Sequence, residues 1–292
     1  MTKIILLGGT GFIGTPLLEK LLQENYNVKA LIHKNNSEKK LDFFYGDILE
    51  PHLLDNIIDD GDIVVNLIGQ IDDDSKFIDE NILGGMNLLN SCIKKRQIKL
   101  ILASSISVYG DNFEKISKEN DPPNPLTTYG QVKSITEKIY KHYAENFGLD
   151  VTVLRFATLY GPKKKSGFIV KLIKSLKNDQ TKQVFNNGKQ IRDMLFVDDA
   201  VDGILCAIKQ PQQGFKIFNI SSGKKYTISE IITIIEKLGN KKLLVKYNSK
   251  IPDEQCLCAD NSKSLEILNF SPKIDIETGM KITIDYFFKK ND

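Results

Sequence analysis

The chain has 292 residues, of which 41% are hydrophobic and 26% are charged, so it can form one large α/β domain or two smaller ones and lacks the bias of a disordered chain. Its 40 basic and 37 acidic residues give a net charge of only +3, which provides no argument for a nucleic-acid partner. Only three of the basic residues are arginine, namely Arg96, Arg155 and Arg192.

The sequence carries no pattern typical of membrane or secreted proteins. Its longest unbroken aliphatic run has about four residues, against the roughly 20 that a membrane-spanning helix needs. Residues 1–3 lead directly into a strand pattern and do not resemble a signal peptide. The four cysteines suit a reducing compartment, and the three histidines are too scattered for metal-ligand spacing. We therefore predict a cytoplasmic protein with no membrane partner and no metal site.

Short aliphatic segments alternate with amphipathic ones over the first 160 residues. The aliphatic runs are continuous, which is typical of strands buried on both faces in a parallel sheet covered by helices. Repeated strand–helix–strand spacing predicts an α/β fold with a doubly wound parallel sheet, the Rossmann arrangement. The predicted strands are residues 4–7, 28–32, 43–45, 63–68, 100–103 and 151–154. The predicted helices are residues 12–24, 51–58, 77–96 and 129–147.

After Gly161 and Pro162 the pattern becomes more polar and less regular, beginning with Lys163–Lys165, which we predict to be a solvated surface. The later predicted elements are a helix from 168, a strand at 183–185, a turn at 186–188, a helix from about 198, a strand at 215–220, a helix at 229–238, a strand at 243–247 and a helix near 278–288. We predict a Rossmann domain from residues 1–162 plus about 191–220. Residues 163–190 plus 221–292 would form an interleaved, smaller mixed α/β lobe that binds the substrate.

A glycine-rich loop, Gly8–Gly14, follows the first predicted strand and precedes the first predicted helix, where dinucleotide-binding loops occur. Without a Cβ atom, Gly8 or Gly9 permits a tight turn, Gly11 lets the backbone approach a pyrophosphate, and Gly14 lets the helix pack close to the sheet. Free N–H groups at the helix start favour an anion. The loop therefore predicts dinucleotide contacts from Gly8, Gly11, Phe12, Ile13 and Gly14.

The end of the second predicted strand bears on the choice of dinucleotide. A carboxylate that binds the ribose of NAD is expected about 20 residues after the loop, but His33 and Lys34 stand there. A basic residue at this point can pair with a 2′-phosphate. The sequence therefore predicts NAD or NADP as cofactor, with NADP slightly favoured, and His33 as a contact.

Tyr129 and Lys133 are four residues apart, on one face of the helix predicted for residues 129–147. Tyrosine has an unperturbed pKa of about 10, which makes it a poor base at neutral pH. A lysine ammonium one turn away favours the phenolate and lowers that pKa. This spacing is common by itself. Because it follows a dinucleotide-binding loop in a chain of alternating strands and helices, it predicts an acid–base pair.

Seven motifs, in this order, resemble those of the extended short-chain dehydrogenase/reductases, and within them the NAD-dependent epimerase/dehydratase family that acts on nucleotide sugars. The motifs are the Gly8–Gly14 loop, Gly46–Ile48, Ser104–Gly110, Tyr129–Lys133, Arg155–Pro162, Arg192–Asp193 with Val197–Asp199, and Asn219–Ile220. The resemblance extends over nearly the whole chain, and it is specific for the family rather than for one substrate.

The resemblance implies roles for individual residues. It implies that Tyr129 is the catalytic acid/base, that Lys133 binds the nicotinamide ribose, and that Ser105 orients the substrate oxygen. It implies further cofactor contacts from Asp47, Ile48, Leu67, Ile68 and Gly69. It implies substrate contacts from Ser105, Asn81, Thr158 and Arg192. It also implies a homodimer through the helices near 77–96 and 129–147.

Departures from the family pattern narrow the reaction. Sugar dehydratases of the family carry an Asp-Glu pair after the active-site hydroxyl, whereas Ile106 and Ser107 follow Ser105 here, so no carboxylate is placed to eliminate water. Thr158 stands where family members commonly have asparagine. The resemblance thus implies hydride transfer at sugar C4, by a 4-epimerase of the UDP-glucose 4-epimerase type or by a 4-ketoreductase. A non-catalytic NAD(P)-binding sensor or assembly protein on the same fold is the alternative.

Two of the three arginines lie inside these motifs. Lysine can supply positive charge anywhere, but only arginine offers a planar fork that matches the oxygens of a phosphate. We therefore predict Arg192 as the ligand of the substrate's nucleotide diphosphate, with Arg155 as the second candidate. For Arg155, an ion pair at the surface or between the lobes is equally expected.

Overall fold

The computed structural model describes residues 3–32, 42–69, 74–111, 116–250 and 256–289. Its strands are β1 Lys3–Leu7, β2 Asn27–Ile32, β3 Asp42–Tyr45, β4 Ile63–Asn66, β5 Lys99–Ser105, β6 Asp150–Phe156, β7 Thr158–Tyr160, β8 Lys182–Val184, β9 Ile191–Arg192, β10 Met194–Phe196, β11 Phe215–Ile220, β12 Tyr226–Thr227, β13 Val245–Tyr247 and β14 Cys256–Leu257. Its α-helices are α1 Gly14–Gln23, α2 Asp74–Cys92, α3 Thr128–Phe147, α4 Phe168–Lys177, α5 Val197–Lys209, α6 Ile228–Gly239, α7 Ser262–Leu268 and α8 Ile276–Lys289. Short 3-10 helices cover Ile106–Tyr109 and Asn186–Gly188.

Seven parallel strands form the central sheet, in the order β11-β6-β5-β4-β1-β2-β3. The strand order reverses at β1, which lies between β2 and β4. In open α/β sheets, ligands bind in the crevice at the carboxyl ends of the strands at such a point. The predicted doubly wound parallel sheet is confirmed, and the glycine loop that follows β1 lies at this crevice.

Both faces of the sheet are covered, which explains the continuous aliphatic runs. On β1, Ile4 and Leu6 belong to a core that also contains side chains of α1 and α5. Ile5 and Leu7 belong to a second core on the opposite face, with side chains of α2 and α3. All four residues are fully buried, and the polar residue of β1, Lys3, stands at the start of the strand and is only partly buried.

A third buried core lies outside the central sheet and is built mainly from α4, α6 and α8. Three small sheets accompany it, one of β7 with β10, one of β8 with β13 and one of β9 with β12 and β14. This is the smaller mixed α/β part that the sequence predicts. β11 pairs with β6 at the edge of the central sheet, although it follows much of this smaller part in the chain. The predicted division of the chain into two interleaved lobes stays a prediction.

The helix predicted for residues 51–58 is wrong, because this segment forms consecutive turns. His52 has a left-handed backbone with φ of 65°, which interrupts a helix. The apolar periodicity that suggested a helix is nevertheless real, since Leu54 and Ile58 are buried under the sheet. Consecutive turns, and not a helix, bury the side chains of Leu54 and Ile58.

The described parts of the chain contain neither a membrane-spanning helix nor a cluster of metal ligands. No helix there is long and apolar enough to cross a membrane. The same residues bring together no group of three histidine, cysteine, aspartate or glutamate side chains that could hold a metal ion.

Candidate active site

The glycine loop turns tightly enough to exclude side chains at two positions. Gly8 has φ of +82°, which L side chains rarely adopt, and its carbonyl oxygen accepts a hydrogen bond from the Gly11 N–H at 3.0 Å. A Cβ atom on Gly14 would clash with the Gly8 carbonyl and lie 2.8 Å from the Cα of Gly9. The start of α1 is therefore pressed against the loop, as close helix–strand packing in a dinucleotide site requires.

The first turn of α1 is open to an anion. Its N-cap residue is Ile13, and within the described ranges no side chain caps the helix. The N–H groups of a first turn lack partners inside the helix and carry the positive end of its dipole. Phe12 and Ile13 pack partly against the third and first cores, which fixes the loop on both sides. These residues fit the pyrophosphate of a dinucleotide.

The other predicted cofactor residues lie along the same edge of the sheet. Leu67, Ile68 and Gly69 follow β4, and a Cβ on Gly8 would lie 3.1 Å from the carbonyl carbon of Leu67. The loop after β1 and the loop after β4 are thus in direct contact. His33 lies outside the described residues.

Asp47 and Ile48 follow β3 in a turn. The Asp47 carboxylate accepts a hydrogen bond from the Leu49 N–H at 3.0 Å, which orients it within the turn. Ile48 is buried, and its side chain lies against Gly84 of α2. Asp47 remains partly exposed.

Lys133 is the most enclosed of the predicted catalytic residues. Its side chain is 3% exposed, and its Nζ donates hydrogen bonds to Asn81 Oδ1 at 2.9 Å and to the Ala103 carbonyl at 3.1 Å. Asn81 Nδ2 in turn donates to the Phe77 carbonyl at 2.8 Å. Burial lowers the pKa of Lys133 to about 8, although attraction by Glu137 opposes this. At neutral pH Lys133 is therefore mainly an ammonium, held in place by two neutral acceptors.

Tyr129 lies one turn before Lys133 and is partly exposed. Its ring stacks on Phe77, with centroids 5.4 Å apart and planes 28° apart. The helix starts here because the Thr127 hydroxyl accepts a hydrogen bond from the Gly130 N–H at 3.2 Å. A Cβ on Gly130 would lie 2.6 Å from the Ser107 carbonyl oxygen, so this end of α3 closely approaches the segment after β5.

Ser105 ends β5 and begins that segment. Its side chain accepts a hydrogen bond from the Ser107 N–H at 3.2 Å, which caps the following 3-10 helix. Ser104 projects from the other side of the strand and donates a hydrogen bond to Glu137. Because side chains alternate along β5, the Ser105 side chain points to the side of the sheet opposite to Glu137.

Thr158 and Arg192 lie on two short strands, β7 and β9, that belong to different small sheets. Thr158 begins β7, and its N–H donates to the carbonyl of Asp193, the residue after Arg192, at 3.0 Å. Arg192 is partly exposed on β9, and its Nη1 donates to its neighbour's carbonyl, that of Ile191, at 2.8 Å. The structure therefore brings these two predicted substrate residues close together from positions 34 apart in the chain.

The second-candidate role of Arg155 as a diphosphate ligand is wrong. Arg155 is 2% exposed, and its guanidinium pairs with the Glu137 carboxylate, with Nη2 and Oε2 2.6 Å apart. Its Nε also donates to Oε1 at 3.0 Å. A guanidinium enclosed in this way between β6 and α3 cannot reach a substrate phosphate.

Two residues make contacts at the site that sequence reasoning did not predict, although Gly69 itself was predicted as a cofactor contact. Lys163 and Lys165 are exposed, as predicted for the lysine run, but the Lys164 ammonium lies 4.7 Å above the ring of Phe12 in the glycine loop. Burial lowers the pKa of Lys164 to about 8. Gly69 has φ of +139°, and a Cβ there would lie 2.6 Å from the Nζ of Lys133. For Lys164, the signal available in the sequence was the pair of glycines on either side of it, Gly161 and Gly167.

A tyrosine and a buried lysine one turn apart, on a helix beside a dinucleotide crevice, are characteristic of short-chain dehydrogenase/reductases, and the chain is an extended member of that class. The sequence model of the NAD dependent epimerase/dehydratase family matches residues 4–221, and the chain belongs to this family.

Relatives and solved structures match the chain along almost its whole length. A UDP-glucuronate 4-epimerase of Thermodesulfobacterium geofontis is 30% identical over 98% of this chain and 96% of its own. The structure of a UDP-glucuronic acid 4-epimerase from Bacillus cereus, in complex with UDP-glucuronic acid and NAD, is 27% identical with a TM-score of 0.87 and covers 98% of each chain. The structure of a UDP-glucose 4-epimerase from Thermotoga maritima with UDP-glucose is 26% identical with a TM-score of 0.86, again covering 98% of each chain.

Proposed function

We propose that the protein is an NAD(P)-dependent UDP-sugar 4-epimerase in which Tyr129 is the acid/base. The observation that carries this proposal is the Lys133 ammonium, buried and held by Asn81 and the Ala103 carbonyl one helical turn from Tyr129. The relatives described above are 4-epimerases of UDP-glucose or UDP-glucuronic acid, which supports these two sugars as the substrate class.

The residues of the site divide the chemistry among them. The Tyr129 phenolate accepts the proton of the sugar's C4 hydroxyl and later returns it, while the Lys133 ammonium stabilises the phenolate between these steps. The Ser105 hydroxyl orients the C4 oxygen. The dinucleotide, when bound, supplies the hydride acceptor that oxidation at C4 and its reversal require.

Substrate positioning is assigned to residues on β7, β9 and α2. Arg192 binds the diphosphate, because its guanidinium remains partly exposed and offers a planar fork. Thr158 and Asn81 contact the sugar. The remaining cofactor contacts are those predicted from the glycine loop, from Asp47 and Ile48, and from Leu67–Gly69.

The choice between NAD and NADP is a separate part of the proposal. His33 and Lys34 favour NADP on sequence grounds, whereas the Bacillus cereus structure contains NAD. Titration calorimetry with each dinucleotide decides between them. Tighter NADP binding that is weakened by a His33→Asp substitution is the result expected from the sequence.

The proposed reaction is tested by incubating the protein with UDP-, dTDP-, CDP- and GDP-sugars and following both product stereochemistry and the absorbance of reduced nicotinamide. Formation of the C4 epimer without a net absorbance change supports the proposal. Consumption of reduced cofactor with a 4-keto sugar identifies a 4-ketoreductase instead. Cofactor binding with no turnover of any sugar contradicts an enzymatic role and favours a non-catalytic sensor or assembly protein.

Arg192→Lys is expected to raise the KM for the UDP-sugar about tenfold and to leave the Kd for the dinucleotide unchanged. Lysine keeps the charge but loses the bidentate geometry, and about 1.4 kcal/mol of binding free energy corresponds to a factor of ten. Steady-state kinetics and calorimetry measure the two constants. The matched control is Arg96→Lys, because Arg96 is an exposed residue remote from the crevice, paired with Asp60. An unchanged KM would remove Arg192 from the substrate site.

We also propose a homodimer through α2 and α3, which pack side by side and expose apolar side chains. Leu83 and Met86 on α2 are 53% and 38% exposed, and Ile135 and Phe147 on α3 are 45% and 53% exposed. Such a patch on paired helices is typical of a protein–protein interface.

The double substitution Leu83→Asp with Ile135→Asp is expected to convert a dimer into a monomer, because two charges would be buried without partners. Multi-angle light scattering gives the mass. Leu265→Asp on α7, which is also 53% exposed, is the control and should stay dimeric. A monomeric wild-type protein would rule out the dimer.

A further inference from the structure

A second buried charge lies on α3 directly beyond the proposed acid–base pair. Tyr129, Lys133 and Glu137 follow one another at intervals of four, so they share one face of the helix. Glu137 is 4% exposed, nearly as enclosed as Lys133. It accepts a hydrogen bond from the Ser104 hydroxyl of β5, the same strand whose Ala103 carbonyl binds Lys133.

Arg155 reaches Glu137 from β6 and has no other carboxylate partner within the described ranges. The guanidinium pairs through both Nε and Nη2, and its carbon lies 4.6 Å above the ring of Tyr109. Its Nη1 is buried and has no hydrogen-bond partner among the described residues. A buried donor left without a partner carries a cost, so packing rather than optimal hydrogen bonding holds this cation in place.

The two cations therefore share one buried anion. The groups that hold the Lys133 ammonium directly are neutral, namely Asn81 from α2 and the Ala103 carbonyl from β5. Two further residues face the Lys133 ammonium. Phe77 of α2 has its ring centroid 5.8 Å from Nζ, and Gly69 lies close to Nζ in the loop after β4. From its own helix Tyr129 and Glu137 face it, and from β6 Arg155 lies behind Glu137.

The buried Glu80 of α2 is paired with Lys76 at 3.4 Å. Attraction by Glu137 is the interaction that opposes the desolvation of Lys133. A charge buried without such attraction is converted to its neutral form.

We propose that Glu137 and Arg155 form a positioning pair that controls the charge of Lys133, with Glu137 favouring the ammonium and Arg155 limiting how strongly Glu137 does so. The effect of this pair on Tyr129 rests on the function proposed above. Its effect on Lys133 does not, because it depends only on the three buried side chains.

The test uses two substitutions that would act in opposite directions. Glu137→Gln removes the carboxylate and is expected to lower the pKa of Lys133 by about one unit, since an opposite charge nearby shifts a pKa by about 1–3 units. Arg155→Met frees the carboxylate and is expected to raise the pKa of Lys133 by about the same amount. A merely structural pair would not produce shifts of opposite sign.

The readout is the 15N resonance of the Lys133 Nζ, followed against pH in full-length protein labelled with 15N-lysine and assigned by its loss in Lys133→Met. Asp202→Asn is the control, because it removes a carboxylate from a distant pair with Lys20 and should leave the Lys133 titration unchanged. No shift, or shifts of the same sign, in the two test variants would overturn the proposal.

Arg155→Lys is a milder substitution that keeps the test possible if Glu137→Gln or Arg155→Met does not fold. It keeps the buried charge but lacks the planar fork, so it should pair less completely with Glu137 and raise the pKa of Lys133 by less than Arg155→Met does. Thermal unfolding verifies that it is folded. An unchanged or lowered pKa of Lys133 in this variant also contradicts the proposal.

The pH dependence of kcat separates this proposal from the proposed function. If the protein is a 4-epimerase, the alkaline limb of its kcat profile should move with the pKa of Lys133 in each variant. Opposite shifts in the NMR titration without any sugar turnover would leave the pair established and the 4-epimerase function rejected. Turnover with an unmoved titration would leave the function established and the pair purely structural.

Discussion

Replacing Tyr129 by phenylalanine is expected to lower kcat for C4 epimerisation by about 10²–10⁴-fold, the contribution typical of a general acid–base residue. The substitution removes only the hydroxyl, so the ring can keep its stacking on Phe77 and α3 can keep its start at Thr127. The affinity for the dinucleotide should therefore remain close to that of the wild type. Initial rates at saturating UDP-sugar measure kcat, and calorimetry measures the dinucleotide Kd.

Tyr143→Phe is the matched control for this substitution. Tyr143 lies on the same helix, but its hydroxyl donates a hydrogen bond to Asn90 at 2.8 Å on the outer side of α2 and α3. Loss of that hydroxyl should change kcat by less than twofold. Because the hydrogen bond is exposed, its loss should lower only the free energy of unfolding, by about 1 kcal/mol or less. If Tyr129→Phe turned over the sugar as fast as Tyr143→Phe, Tyr129 would not be the acid/base.

Gly14→Ala is expected to weaken dinucleotide binding by about 100-fold. The added Cβ would clash with the Gly8 carbonyl and approach the Cα of Gly9 to 2.8 Å, and neither backbone atom can move without displacing the loop. The N–H groups at the start of α1 would then no longer converge on the pyrophosphate. Hydrogen bonds to a charged group contribute about 1.5–3 kcal/mol each, so the loss of one or two accounts for a factor of this size.

Calorimetric titration with the dinucleotide and thermal unfolding test this prediction together. Gly239→Ala is the control, because a Cβ there also meets a close neighbour, Leu176 Cδ2 at 2.6 Å, but lies at the end of α6 in the third core and not in the glycine loop. It should leave the dinucleotide Kd unchanged. A Kd for Gly14→Ala equal to that of the wild type, in a folded protein, would show that the close approach of α1 to the loop has no part in binding.

The long elements of the fold could be predicted because their signals are local. β1 and β5 each contain a run of four aliphatic residues, 4–7 and 100–103, and these runs are buried on both faces, as such runs suggest. The short strands β9, β12 and β14 have two residues each and carry no periodicity that a pattern could reveal. β9 and β12 are followed by residues of the third core, Met194 and Ile228, so pairing there costs little additional entropy.

The candidate site shows the same division. Gly8–Gly14 and the interval between Tyr129 and Lys133 are local spacings, and the structure brings them to one crevice. Lys164 sits over Phe12 through a contact between distant segments, so a run of three lysines alone did not distinguish the middle one from its exposed neighbours. Asn81 and Lys133 are separated by 52 residues, and their hydrogen bond depends on how α2 packs against α3.

The three arginines mark the limit most clearly. Composition and motif position alone determined that arginine is scarce and that two of the three lie in family motifs, and they offered a phosphate or an ion pair for Arg155. The planar guanidinium matches a phosphate and a carboxylate equally well, so the residue type cannot choose between them. Only the tertiary structure decided, by placing β6 beneath α3 so that Arg155 is buried against Glu137 while Arg192 stays partly exposed. The choice of partner is a matter of burial, and burial is a property of the assembled fold.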